Sequence, residues 1–248
     1  MKYELDHCTN LLKERKLILI CDLDETLISA TYLNGNYLNP NYRKPILVFP
    51  SSNETKNNYI YLKLRPYLGD FLEEMSYIFE LHLMSMGSAN HVQRCIDIID
   101  PTGKYFGNRI TSRNNIMDSN DKDRTTKKMF PGCSNIIISL DDNIIIWKNN
   151  PSLVKIKPLN YFKSLEKDVI SPYINKENVH TFIEEYINKL ERDLKDHSLL
   201  SLQGILKKYH YDYFKVLDEG RAKETKTVLP NISKIMSNNV EINSSCVL

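Results

Sequence analysis

The sequence of 248 residues contains few cysteines, and the five it has are scattered: Cys8, Cys21, Cys95, Cys133 and Cys246. Their odd number and the lack of a C-x-x-C pair argue against a disulfide framework or a zinc site and favour a reducing, intracellular environment. No apolar run approaches the roughly 18 residues of a membrane span, and no basic-then-apolar signal segment opens the chain. The formal net charge is only +2, so we expect no membrane association and no direct nucleic-acid binding.

The strongest local signal is a short aliphatic run, Leu17–Cys21, that is followed by two acids, Asp22 and Asp24. Its length and composition predict a strand that is buried on both faces of a sheet. Charge at the end of a buried strand must be solvated, paired or bound to a cation. Because α/β proteins bind ligands at the carboxyl ends of parallel strands, we interpret this segment as the floor of an active site.

Two further strands are predicted later in the chain, and polar side chains follow each of them. Phe79–Met84 precedes Ser85, and Ile136–Leu140 precedes the acid pair Asp141 and Asp142. Helical segments lie between the strands, so the pattern predicts an α/β fold with a parallel sheet.

Two regions depart from this alternation of strands and helices. The turn-rich stretch of about residues 29–60 contains the apolar segments 46–49 and 59–64, which predict a β-hairpin inserted after the first strand. Charged segments with helical periodicity predominate toward the C-terminus. We therefore expect a catalytic domain over residues 1–165 and a helical extension over residues 166–248.

The acids at the two strand ends fit phosphoryl transfer. Asp22 has the chemistry to attack a phosphate monoester, while Asp24 protonates the leaving oxygen and then activates water. Thr26 offers a hydroxyl that fixes the loop or donates to Asp24. Asp141 and Asp142 add carboxylates for a hard divalent cation such as Mg²⁺. Alone, the first acid pair also fits a plain acidic turn, but a second strand that ends in acids makes that interpretation much weaker.

Phosphate binding also needs a hydroxyl and a cation. Ser85 is the candidate hydroxyl, although its segment fits a plain strand-to-helix turn equally well. The candidate cations are Lys122, Arg124, Lys127 and Lys128, which we place in one basic loop. Without the strands around it, such a charge run is more typical of a solvated surface.

Together these motifs resemble a known family. The segment Asp22–Leu27 matches the D-x-D-x-T-L/V signature of haloacid dehalogenase-type phosphotransferases. The chain resembles the branch that dephosphorylates the C-terminal domain of RNA polymerase II, in particular its TFIIF-stimulated members, which also carry a BRCT domain. The matching segments stand in family order over nearly the whole chain: Leu11–Tyr32, Tyr61–Leu68, Phe79–Gly87, Asp100–Gly107, Arg109–Arg113 and Asp141–Trp147.

The resemblance implies a haloacid dehalogenase-like Rossmannoid sheet and a magnesium-dependent protein serine/threonine phosphatase that works through an aspartyl-phosphate. Asp22 would be the nucleophile and Asp24 the general acid and base. Asp22, the backbone of Asp24, and Asp142 would hold Mg²⁺, and Asp141 would support the site. Arg65 and Asp100 match positions to which the family resemblance assigns importance for activity.

Three positions depart from the family pattern. Ser85 stands where the family has threonine, and it keeps the hydroxyl. The phosphate-binding lysine of the family falls on Arg124, whose forked guanidinium is not equivalent to an ammonium. A small shift in register would bring Lys122 to this position instead, so both residues remain candidates. Asn143 replaces the arginine that follows the acid pair.

The resemblance also implies a phosphorylated protein substrate, the RNA polymerase II C-terminal domain, together with nuclear localisation and a general transcription factor as partner. The C-terminal helices resemble the segments that precede the BRCT domain, and the few residues up to Leu248 predict that this domain is absent.

Two alternatives stay open. One is a non-catalytic phosphopeptide- or protein-binding module on the same fold, and the other is a small-molecule phosphatase.

Overall fold

A computed structural model describes residues 5–34, 46–50, 58–116, 121–148, 150–162, 185, 187–192 and 194–221. Its strands are β1 (Leu17–Cys21), β2 (Ile28–Asn34), β3 (Ile46–Pro50), β4 (Asn58–Leu64), β5 (Phe79–Met84), β6 (Ile110–Thr111), β7 (Ile137–Asp141) and β8 (Leu153–Lys155). Its helices include α1 (Leu5–Lys13), α2 (Leu68–Ile78), α3 (Ala89–Ile99), α4 (Lys122–Met129) and α5 (Ser198–Asp218).

The described residues divide into two compact units that interleave along the chain. The first comprises Met1–Leu23, Tyr67–Lys157 and Ser198–Leu248, and the second comprises Asp24–Pro66 and Pro158–His197. The predicted boundary near residue 165 does not coincide with the limits of either unit, because α5 is grouped with the residues that form the large sheet.

The first unit is built on a five-stranded sheet with the order β6-β5-β1-β7-β8, in which all neighbours are parallel. The central strand β1 is buried along its whole length, as its aliphatic sequence predicts. Cys21 lies opposite Leu83 of β5 and Leu140 of β7. The carboxyl ends of these three strands therefore meet at one edge of the sheet.

Helices connect and cover the strands of this sheet. The face of α2 that carries Leu68, Phe71, Leu72 and Met75 is buried, as its helical spacing predicts. The helix α3 begins after Ser88, whose hydroxyl accepts a hydrogen bond from a backbone amide in the first turn.

The long C-terminal helix α5 packs against α2 through a stripe of buried residues, including Leu202, Leu206 and Tyr209. Its far end contacts the turn before β1, where Asp218 accepts hydrogen bonds from Arg15 at 3.1 Å. The predicted helical periodicity is thus confirmed over this segment, while residues 166–184 of the predicted extension lie outside the described residues. No helix within the described ranges combines the length and the apolar character that crossing a membrane requires.

The second unit contains a three-stranded antiparallel sheet with the order β2-β4-β3. The pairing of β3 with β4 confirms the predicted hairpin, and β2 adds a third strand in a region that we interpreted as turn-rich. Apolar side chains from the sheet and from the second segment of this unit form its core: Ile46, Tyr61, Leu159, Tyr161, Phe162 and Ile187.

The cysteines depart from the expectation of free thiols. Cys8 of α1 and Cys133, which follows α4, form a disulfide with a Cα–Cα distance of 6.2 Å. The two residues are 125 positions apart, so their spacing along the chain gives no sign of the pairing. Cys21 and Cys95 are buried and take part in no disulfide.

Candidate active site

Three carboxylates converge at the carboxyl edge of the large sheet. Asp22 directly follows β1, and its backbone amide donates a hydrogen bond to Leu140 of β7 at 2.9 Å. Asp141 ends β7, and Asp142 follows it. Because β1 and β7 are adjacent and parallel, the two strand ends bring these acids together.

A buried lysine lies between two of the acids. The Nζ atom of Lys122 lies 2.5 Å from Asp22 and 2.6 Å from Asp141, and its side chain is fully buried. Burial alone would lower the pKa of Lys122, but the two carboxylates outweigh this effect and raise it. Lys122 is therefore an ammonium that balances charge which the sheet edge would otherwise leave unpaired.

Asp141 is fixed from several sides. One of its carboxylate oxygens accepts from the backbone amide of Asn143 at 2.8 Å. The other accepts from Lys122 and from the indole Nε1 of Trp147 at 2.8 Å. No motif indicated this contact of Trp147, and the only local hint is its position six residues after Asp141. Asp141 thus holds Lys122 in place.

The same acids form the group best suited to a metal ion among the described residues. Asp22, Asp141 and Asp142 each offer a carboxylate oxygen, and these atoms lie within 4.8 Å of one another. Three hard oxygen donors fit Mg²⁺. The predicted ligand set instead contained the backbone of Asp24 in addition to Asp22 and Asp142, and this part of the set stays a prediction.

The structure separates the two candidate cations of α4. Lys122 contacts the acids, whereas the side chain of Arg124 is exposed and its backbone amide donates to Asp121 at 2.8 Å. The predicted basic loop is wrong from Lys122 onward, because Asp121 caps a helix there. The signal for this helix was the Asp121 side chain three residues before Arg124, a spacing typical of an N-cap.

Ser85 lies at the same edge of the sheet, directly after β5. Its backbone amide donates to Thr111 at 2.9 Å, and its hydroxyl accepts from the backbone amide of Gly87 at 2.9 Å. A Cβ atom at Gly87 would lie 2.8 Å from the ring of His91 and 3.1 Å from the Ser85 hydroxyl. The turn that presents Ser85 therefore requires glycine at this position.

The remaining predicted site residues, Asp24, Thr26 and Arg65, belong to the second unit. The Arg65 guanidinium is buried and donates to the carbonyl oxygens of Glu25 at 3.1 Å and Thr26 at 2.8 Å. Its other nitrogens donate to Asp196 at 2.9 and 3.1 Å. Arg65 thus fixes the backbone that follows Asp24, and Asp196 is a partner that no motif indicated.

Asp100, another position that matches the family, organises a turn. One oxygen of its buried carboxylate accepts from the backbone amides of Tyr105 at 3.0 Å and Phe106 at 2.7 Å. This role is structural within the first unit.

The chain resembles known phosphatases in sequence and in fold. Residues 17–174 match the family model described as NLI interacting factor-like phosphatase. The chain is similar to the RNA polymerase II C-terminal domain phosphatases of three organisms. For Caenorhabditis elegans the identity is 29% over 215 residues, covering 84% of this chain and 30% of the relative. For Schizosaccharomyces pombe it is 31% over 187 residues, covering 71% and 25%. For Encephalitozoon cuniculi it is 28% over 232 residues, covering 87% and 51%.

The chain spans about half the length of these relatives or less. Among solved structures, it is similar to a variant of the fission yeast RNA polymerase II CTD phosphatase Fcp1 bound to beryllium fluoride. The TM-score is 0.68 at 25% identity, and the match covers 91% of this chain and 73% of that chain. The predicted α/β, haloacid dehalogenase-like fold and the predicted resemblance are confirmed.

Proposed function

The chain belongs to the NLI interacting factor-like phosphatase family, and we propose that it is a magnesium-dependent phosphatase of phosphoserine or phosphothreonine in proteins. The observation that carries the proposal is the buried Lys122, which bridges Asp22 and Asp141 at the edge where Asp142 completes a group of three carboxylates. The site contains one cation of its own, the Lys122 ammonium, and carboxylate oxygens that can ligate a second cation, a metal ion. Two cations together suit the site to binding a phosphate dianion.

In this proposal Asp22 is the nucleophile. Its carboxylate oxygen attacks the phosphorus atom while the bond to the serine or threonine oxygen breaks, and an aspartyl-phosphate forms on Asp22. Lys122 neutralises charge beside the reacting oxygens, and the Ser85 hydroxyl donates to a phosphoryl oxygen. Asp22, Asp141 and Asp142 would hold Mg²⁺, which when bound offsets the repulsion between the carboxylate and the phosphate.

Asp24 carries the proton in both half-reactions. It first donates a proton to the leaving oxygen, which frees the dephosphorylated side chain. It then takes a proton from the water that attacks the aspartyl-phosphate, and release of inorganic phosphate restores Asp22. The support for this role is its spacing two residues after Asp22 in the D-x-D-x-T motif, together with Arg65, which fixes the backbone of Glu25 and Thr26.

The names of the similar proteins support a particular substrate, the phosphorylated C-terminal domain of RNA polymerase II. We extend this substrate to the present chain as part of the proposal. Action on RNA polymerase II would place the protein in the nucleus, and a general transcription factor is the partner that we propose on the basis of the family resemblance.

Replacement of the nucleophile tests the mechanism. The Asp22→Asn variant should lose turnover of p-nitrophenyl phosphate and of phosphoserine peptides by at least about 10³-fold, since the amide cannot form the intermediate. The Asp24→Asn variant should accumulate phosphate label on Asp22, detected by mass spectrometry of the peptide that contains it. Retained activity in the Asp22→Asn variant would refute the assignment.

Removal of the metal gives a second readout. Chelation with EDTA should silence the enzyme, and excess Mg²⁺ should restore it. Tight binding of phosphopeptides without release of phosphate would favour the non-catalytic binding module instead. A preference for small phosphate esters over every phosphopeptide would favour a small-molecule phosphatase.

A further inference from the structure

Two adjacent isoleucines are exposed beside the candidate active site. Ile144 and Ile145, which we call the isoleucine pair, have exposed fractions of 48% and 81%, and the latter is the largest among the exposed large hydrophobic side chains of the described residues. They follow Asp142 and Asn143 directly. Single exposed apolar residues are ordinary on protein surfaces, but two in succession beside a catalytic edge form a patch that calls for an explanation.

The turn that carries the isoleucine pair is fastened to Asp141. The backbone amide of Asn143 donates to Asp141 at 2.8 Å, and the backbone amide of Ile145 donates to the Asn143 side chain at 3.1 Å. The next residue, Ile146, is buried, and Trp147 is buried and donates to Asp141. The pair is therefore held outward by a turn whose inner face is anchored to the same carboxylate that contacts Lys122.

The position of the isoleucine pair matches the reach of a bound peptide. Consecutive residues of an extended chain advance by about 3.3–3.6 Å, so Ile144 and Ile145 lie within roughly 11 Å of Asp142 along the backbone. A substrate peptide in extended form advances by the same increment. A side chain within three residues of the phosphorylated residue can therefore reach the pair.

We propose that the isoleucine pair is a subsite for a nonpolar side chain of the substrate, one to three residues from the phosphorylated serine or threonine. This inference rests on the proposed function and names its substrate class, which is phosphopeptides with a nonpolar neighbour of the phosphorylated residue. Covering the exposed methyl groups removes apolar surface from water, and a contact of this size favours the nonpolar peptide by about 5- to 10-fold in kcat/KM.

Pairs of matched phosphoserine peptides test the proposal. The two peptides of a pair are identical except for leucine or glutamine at one position within three residues of the phosphoserine. Each is assayed with the natural chain, with the Ile144→Ser/Ile145→Ser variant and with the single variant Ile145→Gln, whose side chain is so exposed that folding is unaffected. The matched control is Leu200→Ser on α5, because Leu200 has an exposed fraction of 49%. Turnover of p-nitrophenyl phosphate, which has no flanking residues, separates peptide selectivity from the chemistry.

The natural chain and the Leu200→Ser control should prefer leucine at one of the positions by about 5- to 10-fold, and in the other two variants this ratio should fall to about 1. Equal use of the two peptides by the natural chain, or an undiminished preference in both isoleucine variants, would overturn the proposal. If the natural chain turns over none of these substrates, the proposed function fails. The subsite is then tested separately, by the ratio of the affinities of the leucine and glutamine peptides, measured by fluorescence anisotropy. If the natural chain forms a dimer, and the double variant is monomeric with unchanged peptide selectivity, the proposal is overturned. The isoleucine pair would then contact a second copy of the chain.

Discussion

At the scale of single residues, Lys122 decides whether the carboxyl edge of the sheet is stable. It is fully buried and contacts two acids, so its removal leaves two buried carboxylates without the ammonium that they share. The Lys122→Met variant should lose about 3–5 kcal/mol in its free energy of unfolding and nearly all phosphatase activity. Urea denaturation measures the first effect and p-nitrophenyl phosphate turnover the second.

The control for this prediction is Lys127→Met in the same helix. Lys127 pairs with Asp123 at 2.6 Å, but its side chain is 67% exposed, so its loss should cost about 0.5 kcal/mol or less. Equal stability of the two variants would show that the buried ammonium contributes no more than a surface charge.

Gly87 fixes the hydroxyl of Ser85 by close approach. A methyl group at Gly87 would lie 2.8 Å from the ring of His91 and 3.1 Å from the Ser85 hydroxyl, so the His91 ring or the turn that carries Ser85 must shift. The Gly87→Ala variant should therefore lower kcat/KM for phosphopeptides by roughly 10-fold or more. The matched change is Gly204→Ala in α5, where an added Cβ atom would have no neighbouring atom within 4 Å outside the backbone of its own helix. This variant should keep its activity, and the helix should gain up to about 1 kcal/mol in stability. Unaltered activity in the Gly87→Ala variant would show that the turn tolerates the added carbon.

At the scale of elements, α1 and β5 are joined by a carboxylate that two histidines share. The Glu80 carboxylate lies 2.9 Å from the Nε2 atom of His7 and 2.7 Å from that of His82. Burial alone would raise the pKa of Glu80, but the hydrogen bonds with His82 and His7 outweigh it and lower the pKa to about 2. Burial also lowers the pKa of His82.

Both lowered pKa values make the protein less stable as the pH falls. The contribution of His82 to the free energy of unfolding is fully present above its unfolded pKa of about 6.5, and that of Glu80 is fully present above its unfolded pKa of about 4.3. Each contribution is lost as the pH falls through the pKa that the group has in the folded protein. At pH 6 the Glu80→Gln variant should be less stable than the natural chain by on the order of 2 kcal/mol, and the difference should shrink toward zero near pH 2. Thermal melts across this range measure it. The control is Glu74→Gln, because Glu74 pairs with Lys207 at 2.7 Å through side chains that are 42% and 47% exposed. A difference that stays constant with pH would contradict the linkage.

The elements also show which features local patterns can predict. The strand that ends before Asp22, the strand that ends at Asp141 and the helix beginning after Ser88 all follow from local signals: apolar runs, acids at strand ends and a capping hydroxyl. The helix α4 was missed because its sequence is almost entirely polar, and its apolar contacts are few. The choice between Lys122 and Arg124 depends on where that helix begins, which the packing of Lys122 against Asp22 and Asp141 determines.

At the scale of the whole molecule, contacts between distant parts of the chain lie beyond local patterns. The two compact units interleave in sequence, whereas composition and periodicity predicted a linear division. The pairing of Arg65 with Asp196, which lie 131 positions apart, has the same origin as the Cys8–Cys133 disulfide. Each needs the fold to bring together residues that local patterns give no reason to pair.

The Cys8–Cys133 disulfide acts on the molecule as a whole, because it links residues 125 positions apart and closes a loop that includes β1 and α4. Such a crosslink restricts the unfolded chain and typically adds about 2–4 kcal/mol to the free energy of unfolding. Reduction with dithiothreitol should therefore lower the melting temperature by roughly 5–15 °C. The Cys8→Ala variant should melt near the temperature of the reduced chain and should not respond to the reductant. The Cys95→Ala variant, which removes a buried thiol outside the disulfide, should still respond. A natural chain whose melting temperature is the same with and without reductant would show that the bond contributes nothing to stability in solution.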